Sequence, residues 1–378
     1  MSPSLRFPEF TGEWEKCKLG TLATKVGSGS TPKGGDAVYT SIGHYFVRSQ
    51  NVGMGFLMLD NIAHINDDIH QKHKATEIYE NDVLLNITGA SIGRTAVATK
   101  ELEGGNVNQH VCIIRTNSKV NPKFLCDYIQ TQRIQNHIKS LQTGGSREGL
   151  NFEQIRSFPI SLPSINEQNK LTCLLDKINE RIATQVRLIE DLKKLRCAVS
   201  NKLFQSVKGV VIPLSGISNI VKGKQINGDF LAEVGEYYVM NGGTEPSGYY
   251  DNYNVEANTI SISEGGNSCG YVQFNRMPFW SGGHCYTIQD IVSDVETLYL
   301  YHYLKSKEDS IMKLRIGTGL PNIQKKDLAE FKVIIPAIEQ QRTISNILSL
   351  LERKTEIEGR MLIAMRTEKQ YLLHQMFI

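Results

Sequence analysis

The sequence predicts an α+β chain in which one mixed α/β domain occurs twice, each copy followed by a long helix, the two helices pairing as an antiparallel coiled coil. Three observations predict it. Residues 150–168 (LNFEQIRSFPISLPSINEQ) return as residues 323–341 (IQKKDLAEFKVIIPAIEQQ) at a constant offset of 173. Each copy is preceded by short β-type runs set among Gly, Asn and Ser. After the proline that closes each copy, Pro163 and Pro336, the hydrophobic period changes from 2 to 3.5.

The repeat has a register too long for chance. Leu150, Ile155, Phe158, Ile160, Leu162, Ile165 and Gln168 fall on Ile323, Leu328, Phe331, Val333, Ile335, Ile338 and Gln341. Further upstream Gly144-Gly145 answers Gly317-Thr318, and Gln109-His110-Val111-Cys112 answers Gly283-His284-Cys285-Tyr286. Within each copy, residues 83–87 and 259–262 read as strands bounded by turn chemistry. Residues 122–140 and 294–313 read as helical, and residues 158–163 as an alternating strand. The expected organisation is a first domain over 1–165, a helix over 166–207, a second domain over 208–338 and a second helix over 339–378.

The long helices carry matching seams. In steps of three and four the first reads Gln168, Leu171, Leu175, Ile178, Ile182, Gln185, Ile189, Leu192, Arg196, Val199, Leu203. The second, at the same offset, reads Gln341, Ile344, Leu348, Leu351, Thr355, Glu358, Leu362, Met365, Lys369, Leu372, Met376. Eight positions of the first and seven of the second are apolar, and no proline interrupts either. An a/d seam this long is the mark of a coiled coil, with the polar pairs Gln185/Glu358 and Arg196/Lys369 placed to fix register. About 40 helical residues span about 60 Å, a rod suited to act as a spacer, and antiparallel pairing would relate the copies by a pseudo-twofold axis.

Bulk properties narrow the class. Net charge is +3, too near balance to argue for nucleic acid, so any basic surface must come from local segregation. Seven cysteines without a CxxC pair read as free thiols in a reducing cytoplasm. No apolar leader or membrane-length apolar run is visible, so a cytoplasmic protein is expected.

Local motifs then meet a family. Leu19-Gly20, residues 27–33 (GSGSTPK), 47–52 (VRSQNV), 86–94 (NITGASIGR) and Asn108-Gln109 in the first copy, with 241–249 (NGGTEPSGY) and 264–268 (EGGNS) in the second, resemble type I restriction–modification specificity subunits. The layout of the whole chain is similar too; the second copy resembles another target-recognition type than the first, and the Gln50-Asn51 stretch has no clear counterpart in it. The resemblance implies two target-recognition domains, each reading one half of a bipartite, asymmetric duplex site. It implies that the coiled coil sets their spacing and docks two modification (methyltransferase) subunits. Restriction/translocase subunits complete the complex, with S-adenosylmethionine held by the modification subunit and ATP with magnesium by the restriction subunit. No cofactor is expected in this chain, and no catalysis.

Base edges are read by Arg, Lys, Asn and Gln, and phosphates by Lys, Ser and Thr. The expected DNA-binding residues are therefore Ser28, Ser30, Thr31, Lys33, Arg48, Gln50, Asn51, Ser91, Arg94 and Arg147 in the first domain. In the second they are Lys222, Lys224, Asn241, Asn267, Arg276, Arg315, Asn322 and Lys325. Catalytic signatures fail: Gly223-Lys224 is followed by Gln225, so there is no phosphate loop, and no NPPY, DPPY or FxGxG turn occurs. His64, His70 and His73 beside Asp67 and Asp68 read as a polar loop rather than a metal site, and Cys112 and Cys285 as core. The competing readings are a self-contained DNA methyltransferase or nuclease, or a coiled-coil adaptor that binds no DNA.

Overall fold

A computed structural model describes residues 2–142, 149–317, 319 and 321–378. The chain divides into two compact units: unit 1 is Met1–Thr184 with Met361–Ile378, and unit 2 is Gln185–Arg360.

Unit 1 contains strands β1 (Glu15–Lys18), β2 (Ala23–Ser28), β3 (His44–Val47), β4 (Ala63–Ile65), β5 (Val83–Asn86), β6 (Thr95–Val97), β7 (Asn106–Val107), β8 (Val111–Thr116) and β9 (Pro159–Leu162). An antiparallel sheet has the order β2-β8-β5-β6, a smaller one β4-β3-β7, and β1 pairs with β9 alone. Alternation along the strands explains why residues 83–85 of β5 and 111–114 of β8 are apolar without a break. Val83, Leu85, Cys112 and Ile114 face a core shared with the helix α1 (Pro122–Gln130), while Leu84, Val111 and Ile113 face a second core shared with Val47 and Val107. The expected helix over 122–140 is two: α1 ends at Thr131, whose hydroxyl donates to Tyr128 O, and α2 runs Gln132–Gln142.

Unit 2 repeats this plan. Its strands are β10 (Val210–Pro213), β11 (Asn219–Lys222), β12 (Tyr237–Met240), β13 (Tyr249–Tyr250), β14 (Thr259–Ser263), β15 (Val272–Asn275), β16 (Trp280–Ser281), β17 (Cys285–Gln289) and β18 (Lys332–Ile335). They form sheets β11-β17-β14-β15, β13-β12-β16 and β10-β18, the same three orders strand for strand. The long helices are α3 (Ile165–Ser206) and α5 (Ile338–Met376), and α4 (Thr297–Ser306) matches α1.

Within each unit the helices run antiparallel. In unit 2, Gln185 Nε2 donates to Glu358 and Arg196 pairs with Glu352, so numbers rise on α3 as they fall on α5. Val199 and Leu203 join Ile344 and Leu348 in the unit 2 core, and Leu171, Leu175 and Ile178 join Leu372 and Met376 in that of unit 1. Every apolar position of both seams is buried or half-buried, including Ile182, Ile189, Leu192, Leu351, Leu362 and Met365. Off the seam, Leu188, Leu195, Ile347 and Leu350 are exposed.

The repeated glutamine has a repeated job. Gln168 Nε2 donates to Pro163 O and Lys119 O, and its Oε1 accepts from Asn121 N; Gln341 does the same with Pro336 O, Asp294 O and Glu296 N. Each fully buried amide ties a helix start to the strand before it and to the turn before α1 or α4. Gln168→Ala is expected to cost unit 1 about 1–3 kcal/mol, because three backbone groups lose their partner, and urea denaturation checks it.

Candidate nucleic-acid interface

Strand direction decides which loops share a surface. In unit 1, β2 ends at Ser28 opposite Cys112, and β5 ends at Asn86 opposite Val111. The loops after Ser28 and Asn86 and before Val111 therefore emerge from one end of the sheet, carrying Ser30, Thr31, Lys33, Ser91 and Arg94. Gly29 is required here, since a Cβ would stand 1.6 Å from Val107 O. Thr31 donates to the Gln109 amide oxygen, Gln109 Nε2 lies 3.1 Å from His110 Nε2, and Thr88 meets His110 Nδ1. Ser30 Oγ lies 2.9 Å from His73 Nδ1. The turn after β3 is tied to the same end through Asn86 Nδ2, which donates to Ser49 O. Lys33, Gln50 and Arg94 are exposed there, Ser28 and Ser91 half-buried, and Arg48 lies over the Tyr39 ring. Asn51 is spent internally: it is buried, its Oδ1 accepts from Arg48 N and its Nδ2 donates to Met58 O, so it holds the turn and offers no amide edge. Arg147 lies outside the described residues.

Unit 2 has the equivalent end. Lys222 closes β11 opposite Tyr286, and Ser263 closes β14 opposite Cys285. A groove of about 630 Å³ there brings together Lys222, Asn241, Asn267 and Asn322 with Glu264 and His284. Asn322 bridges both Gly265 and Ile316, which keeps Arg315 close, and Ile323 N donates to Glu264 O two residues before the exposed Lys325. Lys224 is exposed just beyond β11, its carbonyl accepting from Trp280 Nε1. Arg276 departs from expectation. The β14–β15 hairpin carries the chain back, so Arg276 leaves β15 beside Thr259, at the opposite end of the sheet, and its guanidinium faces Glu352 and Glu356 of α5.

The expected DNA-binding set left out Glu264, Thr88, Gln109, His110 and His284, which the fold brings to these two ends. The signal was available in part: both histidines stand immediately before β8 and β17. The cysteines are core, buried, with thiols pushed by that burial up to about 12 for Cys112 and about 11 for Cys285, so they stay protonated at neutral pH. His70 is buried with Nδ1 at 2.8 Å from Asn106 Oδ1, and among the described residues no cluster of three His, Cys, Asp or Glu is arranged to hold a metal. No described helix is long and apolar enough to cross a membrane.

Comparison with known proteins places this geometry. The model of the type I restriction modification DNA specificity domain matches residues 11–194 and again 207–364. A Mycoplasma pneumoniae protein named as a candidate type I specificity subunit is 31% identical over 43% of this chain, which spans 44% of that relative's length. A Mycoplasma genitalium counterpart is 23% identical, over 77% of this chain and 79% of its own length. The crystal structure of the type I restriction–modification system S subunit from M. genitalium superposes with a TM-score of 0.68 at 20% identity, covering 100% of this chain and 99% of that one, which establishes a common fold.

Proposed function

The chain belongs to the type I restriction modification DNA specificity family, and from that premise we propose that it is the sequence-reading, non-catalytic subunit of a type I complex. Each unit reads one half of a bipartite, asymmetric site in duplex DNA. The paired helices set the gap and dock two modification subunits, whose S-adenosylmethionine supplies the methyl group. Restriction subunits, with ATP and magnesium, supply translocation and cleavage.

One observation supports this reading above others: the scaffold is kept and one end of it is changed. Sheet orders and the buried glutamines repeat, whereas the loops at that end of the four-stranded sheet, 29–43 against 223–236, 87–94 against 264–271 and 108–110 against 282–284, keep nearly equal lengths and carry different side chains. Two different half-sites ask for that division, since base edges must be met by different side chains on a common support. The exposed apolar residues Leu188, Leu195, Ile347 and Leu350, off the seam, suit a protein partner along the helices.

Exchange of residues 1–150 for the matching domain of another specificity subunit tests it. In a complex reconstituted with modification subunits, methylome mapping is expected to show one half-site replaced, the other half and the gap retained. An unchanged target would favour the adaptor reading, and methyl transfer by the chain alone would favour the enzyme.

A further inference from the structure

Unit 2 carries a charged cluster at a place where, among the described residues, unit 1 has none. Glu264 holds the place of Ile87: Ile87 N donates to His110 O and Glu264 N to His284 O, while Leu150 N and Ile323 N donate to their respective carbonyls. Around the carboxylate, Lys222 Nζ donates to Oε1 at 2.6 Å, the Tyr286 hydroxyl lies 3.1 Å from the same oxygen, and His284 Nδ1 stands 3.7 Å from Oε2. Glu264 is 8% exposed and its Oε2 is shut off from solvent, whereas the Lys222 side chain is 52% exposed. Asn241 uses its Oδ1 to accept His284 N at 3.1 Å, so the NH₂ is the part of that amide left for a ligand. Gly282 makes the contact possible, because a Cβ there would stand 2.5 Å from Asn241 Oδ1.

Asn241 Oδ1 and Glu264 Oε1 are thus engaged and Glu264 Oε2 is closed to solvent, so what Lys222 and Asn241 leave to the groove are donors. A lysine alone is a flexible point charge and a poor discriminator; a buried carboxylate that fixes its ammonium before DNA arrives lowers the cost of ordering it. Guanine is the base whose major-groove edge offers two acceptors, O6 and N7, and adenine puts a donor beside its acceptor. We infer that the unit 2 groove reads a guanine through Lys222 and Asn241, with Glu264 as the positioning residue that makes Lys222 selective. The inference rests on the DNA-reading assignment above.

The test is methylation of a randomised-site plasmid library by the reconstituted complex, comparing wild type, Lys222→Met, Glu264→Gln and an exchange of residues 208–338. Lys222→Met and Glu264→Gln are expected to lower the preference for guanine at one position of one half-site by about tenfold or more. The other half-site and the gap stay as they are, which separates lost reading from lost folding. Lys222→Arg is expected to retain the preference, since a guanidinium meets O6 and N7 together. A half-site without guanine, or an unaltered preference in Lys222→Met, would overturn the inference while the exchange still moved the target. Should the exchange itself leave the target unchanged, the DNA-reading assignment falls and takes this one with it. Lys222→Met decides alone if the Glu264→Gln complex does not assemble, because that side chain is exposed.

Discussion

Phe377→Ala is expected to lower the stability of unit 1 by about 3–5 kcal/mol, and Phe204→Ala that of unit 2 by a similar amount. The two residues lie at the repeat offset, one step past the last seam position of each long helix. Phe377 is buried, stacked on Phe124 at 5.4 Å between ring centroids and edge-on to Trp14 and Tyr128 at 6.4 and 5.9 Å. The Tyr128 hydroxyl donates to Ile378 O and accepts from Ser161 N, so the same aromatic group also holds the last residue and β9. Phe204 packs edge-on against Tyr303 and Tyr299 of α4 at 5.4 and 5.9 Å. Removing either ring leaves a void among large planar side chains that cannot collapse into it, so the transfer loss and the cavity cost add. Hydrogen exchange under urea resolves the units. Phe377→Ala should strip protection from amides of β8 and α1, and Phe204→Ala from those of β17 and α4. A loss below about 1 kcal/mol would show that the clusters relax around the missing ring.

Much of this architecture was legible because its signals are local and repeated. A 3.5-residue period, a strand-closing proline and a constant offset survive without any knowledge of tertiary contacts, and they located both helices. Phe204 and Phe377 escaped because a seam defined by steps of three and four ends at Leu203 and Met376, although the offset pairs them. The interface was harder for a topological reason. Arg276 and Lys222 are both basic residues at strand ends, and only the hairpin direction shows that they lie at opposite ends of one sheet. Asn51 and Asn241 have the same composition and opposite roles, set by whether the amide is consumed by its own turn. Glu264 was passed over because a search for donors discards acids; its value lies in what it does to Lys222, which no single position reveals.

Asp127 provides the second large effect, and it is read through pH. The side chain sits on α1, buried, and burial pushes its carboxyl up to about 7; Lys369 of α5 is the chief opposing influence, Lys123 and the Gln130 amide also pull it down, and Asp176 pushes it up. In the unfolded chain an aspartate titrates near 3.9, so between those values the folded state holds a proton that the unfolded state has released. That contribution is complete below about pH 4 and is lost as pH rises through about 7. From pH 5.5 to 8 the loss is expected to reach about 2 kcal/mol in unit 1. Asp127→Asn keeps the shape and carries no titrating proton, so its stability curve over the same interval should be flatter by about that amount. Urea denaturation of the two proteins at both pH values, followed through unit 1 amides, provides the measurement, and parallel curves would mean that Asp127 is already ionised in the fold, held by Lys369 against its burial.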